Sequence, residues 1–343
     1  MFEVNNGCVN NMMNVDIMSE IVEPFDNKEP TIGDYIIEKW IHDEGTLRMR
    51  RVSANAIFEF QNKKQHFILR MAPDSERTKK QIHSELDFMI HLKNKNFSVP
   101  EIIPSINGNL IEELKTESRN YFAVVFQKCP GKHIEIDEIP LDQVVEWGRL
   151  TALIHQHSQT FEPRNNRKRR YWTDDVMKTL QLIPKEDNEL KEILLDLVDE
   201  INEFPKDEYF GLIHFDLELD NILWNNNNYY VIDFDDAAYY HYIADLSFAL
   251  EEIREKKTDV SQNILNNFVS GYEQIKSLPS NWKEQFDCFC KMLDVLKYAR
   301  TLHAYENTNP KKYPDWLAEL HDRHMNNLKD IKKKLIQEKR KTN

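Results

Sequence analysis

Between Gly211 and Trp224 the chain reads GLIHFDLELDNILW, and from Tyr229 it reads YYVIDFDDAAYY. Each stretch places ionisable and amide side chains between short apolar runs. Runs of that length, rich in β-branched and aromatic residues, read as strands, so the polar residues between them belong to loops at strand ends. Asp216 follows "GLI", "NILW" restarts a strand, and "YYVI" delivers Asp233 from the next strand after a turn at "NNNN". The spacing predicts a hairpin whose two ends bring His214, Asp216, Asn221 and Asp233 to one cleft. Two carboxylates and an amide oxygen facing one point are hard ligands, the set Mg²⁺ prefers when phosphate oxygens complete its shell.

The surrounding chain falls into two kinds of pattern. From Tyr35 to about Phe126 the residues alternate, and "AIFEFQNKKQHFILRMA" reads as two strands joined by a polar turn. "KKQIHSELDFMIHLKNKNF" repeats its apolar residues at helical spacing, and "EIIPSINGNLI" and "NYFAVVFQ" are further strand candidates. After "CPGK" the character changes, with helices expected over 141–157, 187–203, 260–275, 281–305 and 314–336. Pro130 and Gly131 mark the boundary. Residues 1 to about 30 read either as disordered or as a short leading helix.

A formal net charge of -13 argues against duplex nucleic acid as the main partner, because such binding rests on phosphate neutralisation by Lys and Arg. The basic cluster "RNNRKRR" from Arg164 reads as a solvated surface run, and the C-terminal "KDIKKKLIQEKRKTN" as an amphipathic helix that frays into a charged tail. No window is apolar enough to span a bilayer, and the start lacks the pattern of a signal peptide. With 4 cysteines and no zinc spacing, reduced thiols and a cytoplasmic location are expected.

The order His-x-Asp-x4-Asn, an apolar strand, then Asp-Phe-Asp resembles the catalytic and metal loops of the aminoglycoside phosphotransferase and choline kinase family, small-molecule relatives of the protein kinases. The resemblance covers about residues 35–325. It implies an α+β, protein-kinase-like two-lobed fold: a leader (1–30), a small N-terminal antiparallel-sheet lobe with one helix (31–129, hinge near 127–131) and a larger, mostly helical C-terminal lobe (132–343). It implies that Asp216 is the catalytic base, that His214 braces its loop, that Asn221 and Asp233 bind Mg²⁺, and that Asp245 supports the loop from a helix start. A charged residue inside the apolar strand "HFILRM" should be costly without a buried partner; Arg70 stands where the family has its phosphate-contacting Lys, and Glu85 matches the acid that orients it. Ser53 and Asn55 stand at the family's nucleotide loop, without its glycines. Gln127 and Cys129 would offer main-chain groups to the base of ATP or GTP. Gly148 permits close helix packing, and His155 is expected to be structural. Where the family often has Gly or Asn, this chain has Phe215, whose bulk is expected to reshape the acceptor side.

The implied reaction moves the γ-phosphoryl group to a hydroxyl of a small molecule. Seven acids from Asp216 to Asp245 suggest a cationic acceptor such as an aminoglycoside, amino alcohol or amino sugar. Asp236, Tyr240, Tyr298 and Tyr305 are the substrate-contact candidates, with Tyr239, Tyr313 and Trp316 as further aromatics. Two other readings stay open: a catalytically silent nucleotide-binding scaffold, and a protein Ser/Thr kinase. Only eleven residues separate Asp233 from Asp245, which leaves a docked peptide little platform. No membrane or nucleic-acid partner is expected, and oligomeric state is not legible.

Overall fold

A computed structural model describes residues 13–27, 29–164, 167–226, 228–256 and 259–342. The chain divides into two compact units, one comprising 1–132, 162–168 and 222–235, the other 133–161, 169–221 and 236–343. The first 12 residues of the expected leader lie outside the described residues; the rest of it holds a helix, α1 (Val15–Asp26).

The first unit is built on an antiparallel sheet. After α1 and α2 (Ile32–Ile36) come β1 (Arg48–Val52), β2 (Ala56–Asn62) and β3 (Gln65–Pro73). Helix α3 (Lys79–Asn94) follows, then β4 (Ile102–Ile103), β5 (Glu112–Lys115) and β6 (Asn120–Gln127). The strand order is β1-β2-β3-β6-β4, with β5 also on β6. Phe58, Phe60, Phe67, Leu69 and Met71 are buried on β2 and β3, as the alternation predicts. Helix α3 starts where Thr78 and Gln81 form a capping box.

A second hairpin, β8 (Ile222–Asn225) and β9 (Asn228–Val231), belongs to this unit. It is held by paired main-chain bonds between Lys132 and Trp224 (2.9 Å each) and by Val231 N–H on the Ser98 carbonyl (3.0 Å). Phe97 against Tyr229 and Phe88 against Phe234 complete the seam. Gly131, at φ 125°, allows this approach: a Cβ there would lie 2.7 Å from the Trp224 carbonyl oxygen.

The second unit is mostly helical: α4 (Leu141–Ser158), α5 (Trp172–Leu182), α6 (Asn188–Asn202), α7 (Tyr242–Ala249), α8 (Glu251–Lys256), α9 (Asp259–Glu273), α10 (Trp282–Ala304) and α11 (Asp315–Thr342). One ladder interrupts them, β7 (Phe210–Ile213) antiparallel to β10 (Ala238–His241). The five helices expected from periodicity are α4, α6, α9, α10 and α11; α7 is implied only by the resemblance, and α5, α8 and β10 are additions. Helix α7 escapes a periodicity argument because every residue from Tyr242 to Ala249 is buried, leaving no polar face to set a period. Gly148 on α4 does permit close packing: a Cβ there would overlap the Phe268 carbonyl on α9.

The basic cluster is solvated only in part: Arg164 and Lys168 are exposed, but its other three arginines are engaged. Arg167 pairs with Asp87 (3.3 Å), Arg169 is buried and donates to the Ala237 carbonyl (2.6 Å), and Arg170 grips Asp175 through Nε (3.0 Å to each oxygen). Guanidinium groups in such positions act as multi-bond anchors.

Candidate active site

In the second unit, the loop after β7 is organised by a buried carboxylate. Asp245, in the first turn of α7, accepts the main-chain N–H groups of His214 (3.0 Å) and Phe215 (2.8 Å). It also faces His155 Nε2 at 2.9 Å, while His155 Nδ1 meets the Tyr272 hydroxyl at 2.9 Å. A carboxylate can only accept, so the neutral ring donates from Nε2 and accepts at Nδ1. Burial first of all keeps His155 uncharged, against the pull of Asp245. His155 is structural, as expected, and Asp245 supports the loop as the resemblance implied.

Within the loop, His214 Nδ1 accepts the Asp216 N–H (3.3 Å) and His214 is fully buried. Asn221 Nδ2 donates to the Asp216 carbonyl (2.7 Å) and to its Oδ2 (3.1 Å). Trp147 Nε1 holds the Leu217 carbonyl (2.8 Å). The Asp216 carboxylate is therefore oriented by an amide that commits its nitrogen, which leaves the Asn221 oxygen as what that side chain can offer a cation.

Phe215 departs from expectation. Its φ is 78°, a region rarely visited by aromatic residues, and its ring is fully buried. It packs on Tyr240 (5.3 Å) and Phe248 (4.6 Å), under the guanidinium groups of Arg170 (4.8 Å) and Arg300 (5.5 Å). Its bulk fills the core of this unit and does not reshape an acceptor surface.

In the first unit, Arg70 on β3 and Glu85 on α3 form a two-pronged pair (2.8 and 2.5 Å), both nearly fully buried. Burial opposes the charge on Arg70, but Glu85 outweighs it and raises the guanidinium pKa further. Arg70 Nη1 lies 3.5 Å from Asp233 Oδ1. Asp233 sits at φ 64°, which Asp tolerates far better than Phe. Asn55 does not present its amide to a ligand: it is buried and donates to Asp235 Oδ2 (2.8 Å), which also takes Arg77 (3.2 Å). Arg77 was not identified from sequence; it lies in a polar turn with no pattern to mark it. With Arg70, Glu85, Gln81 and Phe122, these residues line one cavity. Ser53 Oγ accepts from Arg51 (2.9 Å), and its N–H bonds to the Asn55 carbonyl (3.0 Å).

Gln127 commits its N–H to the Glu101 carbonyl (2.8 Å), and Lys128 N–H bonds to His66 (3.0 Å). Burial pushes the Cys129 thiol up to about 12, so it is a filler and not a nucleophile.

Two substrate candidates are core residues instead. Tyr240 is fully buried with its hydroxyl on Asp175 (2.6 Å), and Tyr298 is buried with its hydroxyl on Asp187 (2.5 Å). Asp236 is also buried, facing Arg170 at 3.6 Å. Tyr305 is partly exposed, bonded to His324 (2.8 Å) with its ring edge-on to His321 (5.0 Å). Asp233, Asp235, Asp236 and Asp245 all have partners on the protein, so the acid count overstated the charge available to a cationic acceptor. Among the described residues, no three His, Cys, Asp or Glu side chains gather as a metal cage. No helix among the described residues is long and apolar enough to cross a membrane.

An amicoumacin kinase of Bacillus subtilis (strain 168) is 24% identical over 284 residues, covering 79% of this chain and 84% of the relative. A solved amicoumacin kinase, in complex with AMP-PNP and Ca²⁺, superposes with a TM-score of 0.77 at 19% identity, covering 94% of this chain and 96% of the other. A microcompartment-associated aminopropanol kinase gives 0.65 at 22% identity, over 88% and 94% of the two chains. The fold is kinase-like, an antiparallel-sheet unit plus a mostly helical one. The model of the phosphotransferase enzyme family named for the aminoglycoside phosphotransferases matches residues 49–280, and the chain belongs to that family as a small-molecule kinase.

Proposed function

We propose that this kinase transfers the γ-phosphoryl group of ATP, or of GTP, to a hydroxyl of a small amine-bearing molecule. The observation that carries this reading is the His214–Asp216–Asn221 loop, in which Asn221 orients the Asp216 carboxylate and Asp245 holds the backbone before it. Phosphoryl transfer asks a protein mainly to align groups and offset charge. Asp216 Oδ accepts the proton of the acceptor hydroxyl as the new O–P bond forms. Arg70, kept charged by Glu85, grips phosphate oxygens with its remaining N–H groups. Asn221 and Asp233 would supply oxygen donors to Mg²⁺, and the ion would supply charge neutralisation for the phosphates.

The amine rests on a protein of the same fold that is an aminopropanol kinase. ADP release should be measured with 1-amino-2-propanol, amicoumacin, spectinomycin and choline as acceptors. One or more amine-bearing alcohols should be turned over, and Asp216→Asn should lower kcat by about 10²–10⁴-fold with nucleotide affinity retained. Full turnover in that variant would remove Asp216 from its role.

A further inference from the structure

Phe215, the residue before Asp216, sits at positive φ beside a buried ionic cluster outside the site described above. Asp175, on α5, is 4% exposed and collects three donors: Arg170 Nε (3.0 Å to both oxygens), Arg300 Nη2 (2.8 Å) and the Tyr240 hydroxyl (2.6 Å). Burial works against its charge, yet Arg170, Arg300 and Tyr240 hold the carboxyl below its ordinary range. Both of its arginines lie over the Phe215 ring, at 4.8 and 5.5 Å, and Tyr240 packs on the ring's edge at 5.3 Å. All three donors that Asp175 gathers thus also touch Phe215. A bulky side chain in the left-handed region persists only where its surroundings over-determine it, and a desolvated cation over an aromatic face is a substantial contact.

We infer that Asp175 is a positioning residue for phosphoryl transfer: through Arg170, Arg300 and Tyr240 it clamps the Phe215 ring, keeps residue 215 at positive φ, and so sets the direction in which the next residue, Asp216, presents its carboxylate. The turn at Phe215 is where the chain leaves β7, and Asp245 holds the amides of His214 and Phe215 from one side. Asp175 secures the same residue from its side-chain end. Arg170 also faces Asp236 (3.6 Å), which gives the cluster a second path into the segment after Asp233. The test must separate the two paths.

The kinetic arm of this inference rests on the phosphotransferase reading; the structural arm does not. Asp175→Asn, Phe215→Gly and the double variant should be made in the full chain. Each is assayed for ADP release from ATP with Mg²⁺, with and without 1-amino-2-propanol, and the Asp175→Asn variant is crystallised. Asp175→Asn should lower kcat by roughly tenfold or more with KM for ATP within about twofold. Glycine takes positive φ freely and has no ring to clamp. In the Phe215→Gly background the same substitution should therefore change kcat by less than about twofold, a non-additivity that marks coupling between neighbours. In the crystal, Phe215 of Asp175→Asn should have left the positive-φ region. The inference is overturned if the kcat losses multiply independently, or if only thermal stability falls while kcat below the melting range is unchanged. It is equally overturned if φ at Phe215 stays near its present value. Undiminished turnover by Asp216→Asn, or none by the wild type, would sink the phosphotransferase reading while the backbone angle still decides this one.

Discussion

Glu85 and Asp175 are both buried carboxylates that hold arginine, and they do so in opposite ways. Glu85 gives both oxygens to one guanidinium, Arg70, on a neighbouring strand. Asp175 divides its oxygens among Arg170, Arg300 and Tyr240, which come from three separate segments. A one-to-one pair keeps a single charge present and aimed, as the proposed grip of Arg70 on phosphate requires. A hub ties segments together, the requirement for shaping a loop. Breaking a pair strands one charge, whereas breaking a hub loosens several elements at once.

That contrast can be tested by removal. Glu85→Ala should cost the most, about 3–5 kcal/mol of unfolding free energy, because Arg70 is left buried without its partner. Urea unfolding measures it, and a loss below about 1 kcal/mol would mean that the pair is solvated. At the hub, Tyr240→Phe removes one donor of three and should cost about 1.5–3 kcal/mol, the range for a hydrogen bond to a charged group. A much larger loss would mean that the hub cannot redistribute its bonds.

The smallest effect concerns acid. Burial, with Lys206 nearby, pushes His241 down to about 4, and burial likewise lowers His155. The unfolded chain binds protons at these residues below about pH 6.5 while the folded chain does not, so stability is present above that pH and is lost as pH falls, for His241 toward about 4. Each histidine contributes a slope of up to about 1.4 kcal/mol per pH unit. His241→Phe should flatten the fall of melting temperature between pH 6.5 and 4, and an unchanged slope would show that His241 does not titrate there.

Arg70 and Glu85 could be read from the chain because a charge in the middle of an apolar strand needs a partner, and the next helix offers one acid on the right face. The His214–Asn221 loop was legible for a similar reason: the bonds among His214, Asp216 and Asn221 are local, within 5 residues, although Asp245 and Trp147 hold the loop from afar. Asp175 was not. It lies on α5, an 11-residue helix that follows the basic run, and its partners are 5, 65 and 125 residues away. Tyr240 and Tyr298 looked like ligand contacts because an aromatic with a hydroxyl carries the same signature whether it faces a pocket or a buried carboxylate.

By itself, the sequence determined the strand-loop-strand frame of the His214–Asn221 loop, the sheet-plus-helical organisation and the pairing of Arg70 with Glu85, all set by local periodicity and by the cost of unpaired charge. Only the tertiary structure decided which way Phe215 points, which acids are already neutralised, and which tyrosines are core. Those depend on β7 pairing with β10 and on α10 bringing Arg300 to Asp175, contacts between distant segments that no local pattern encodes.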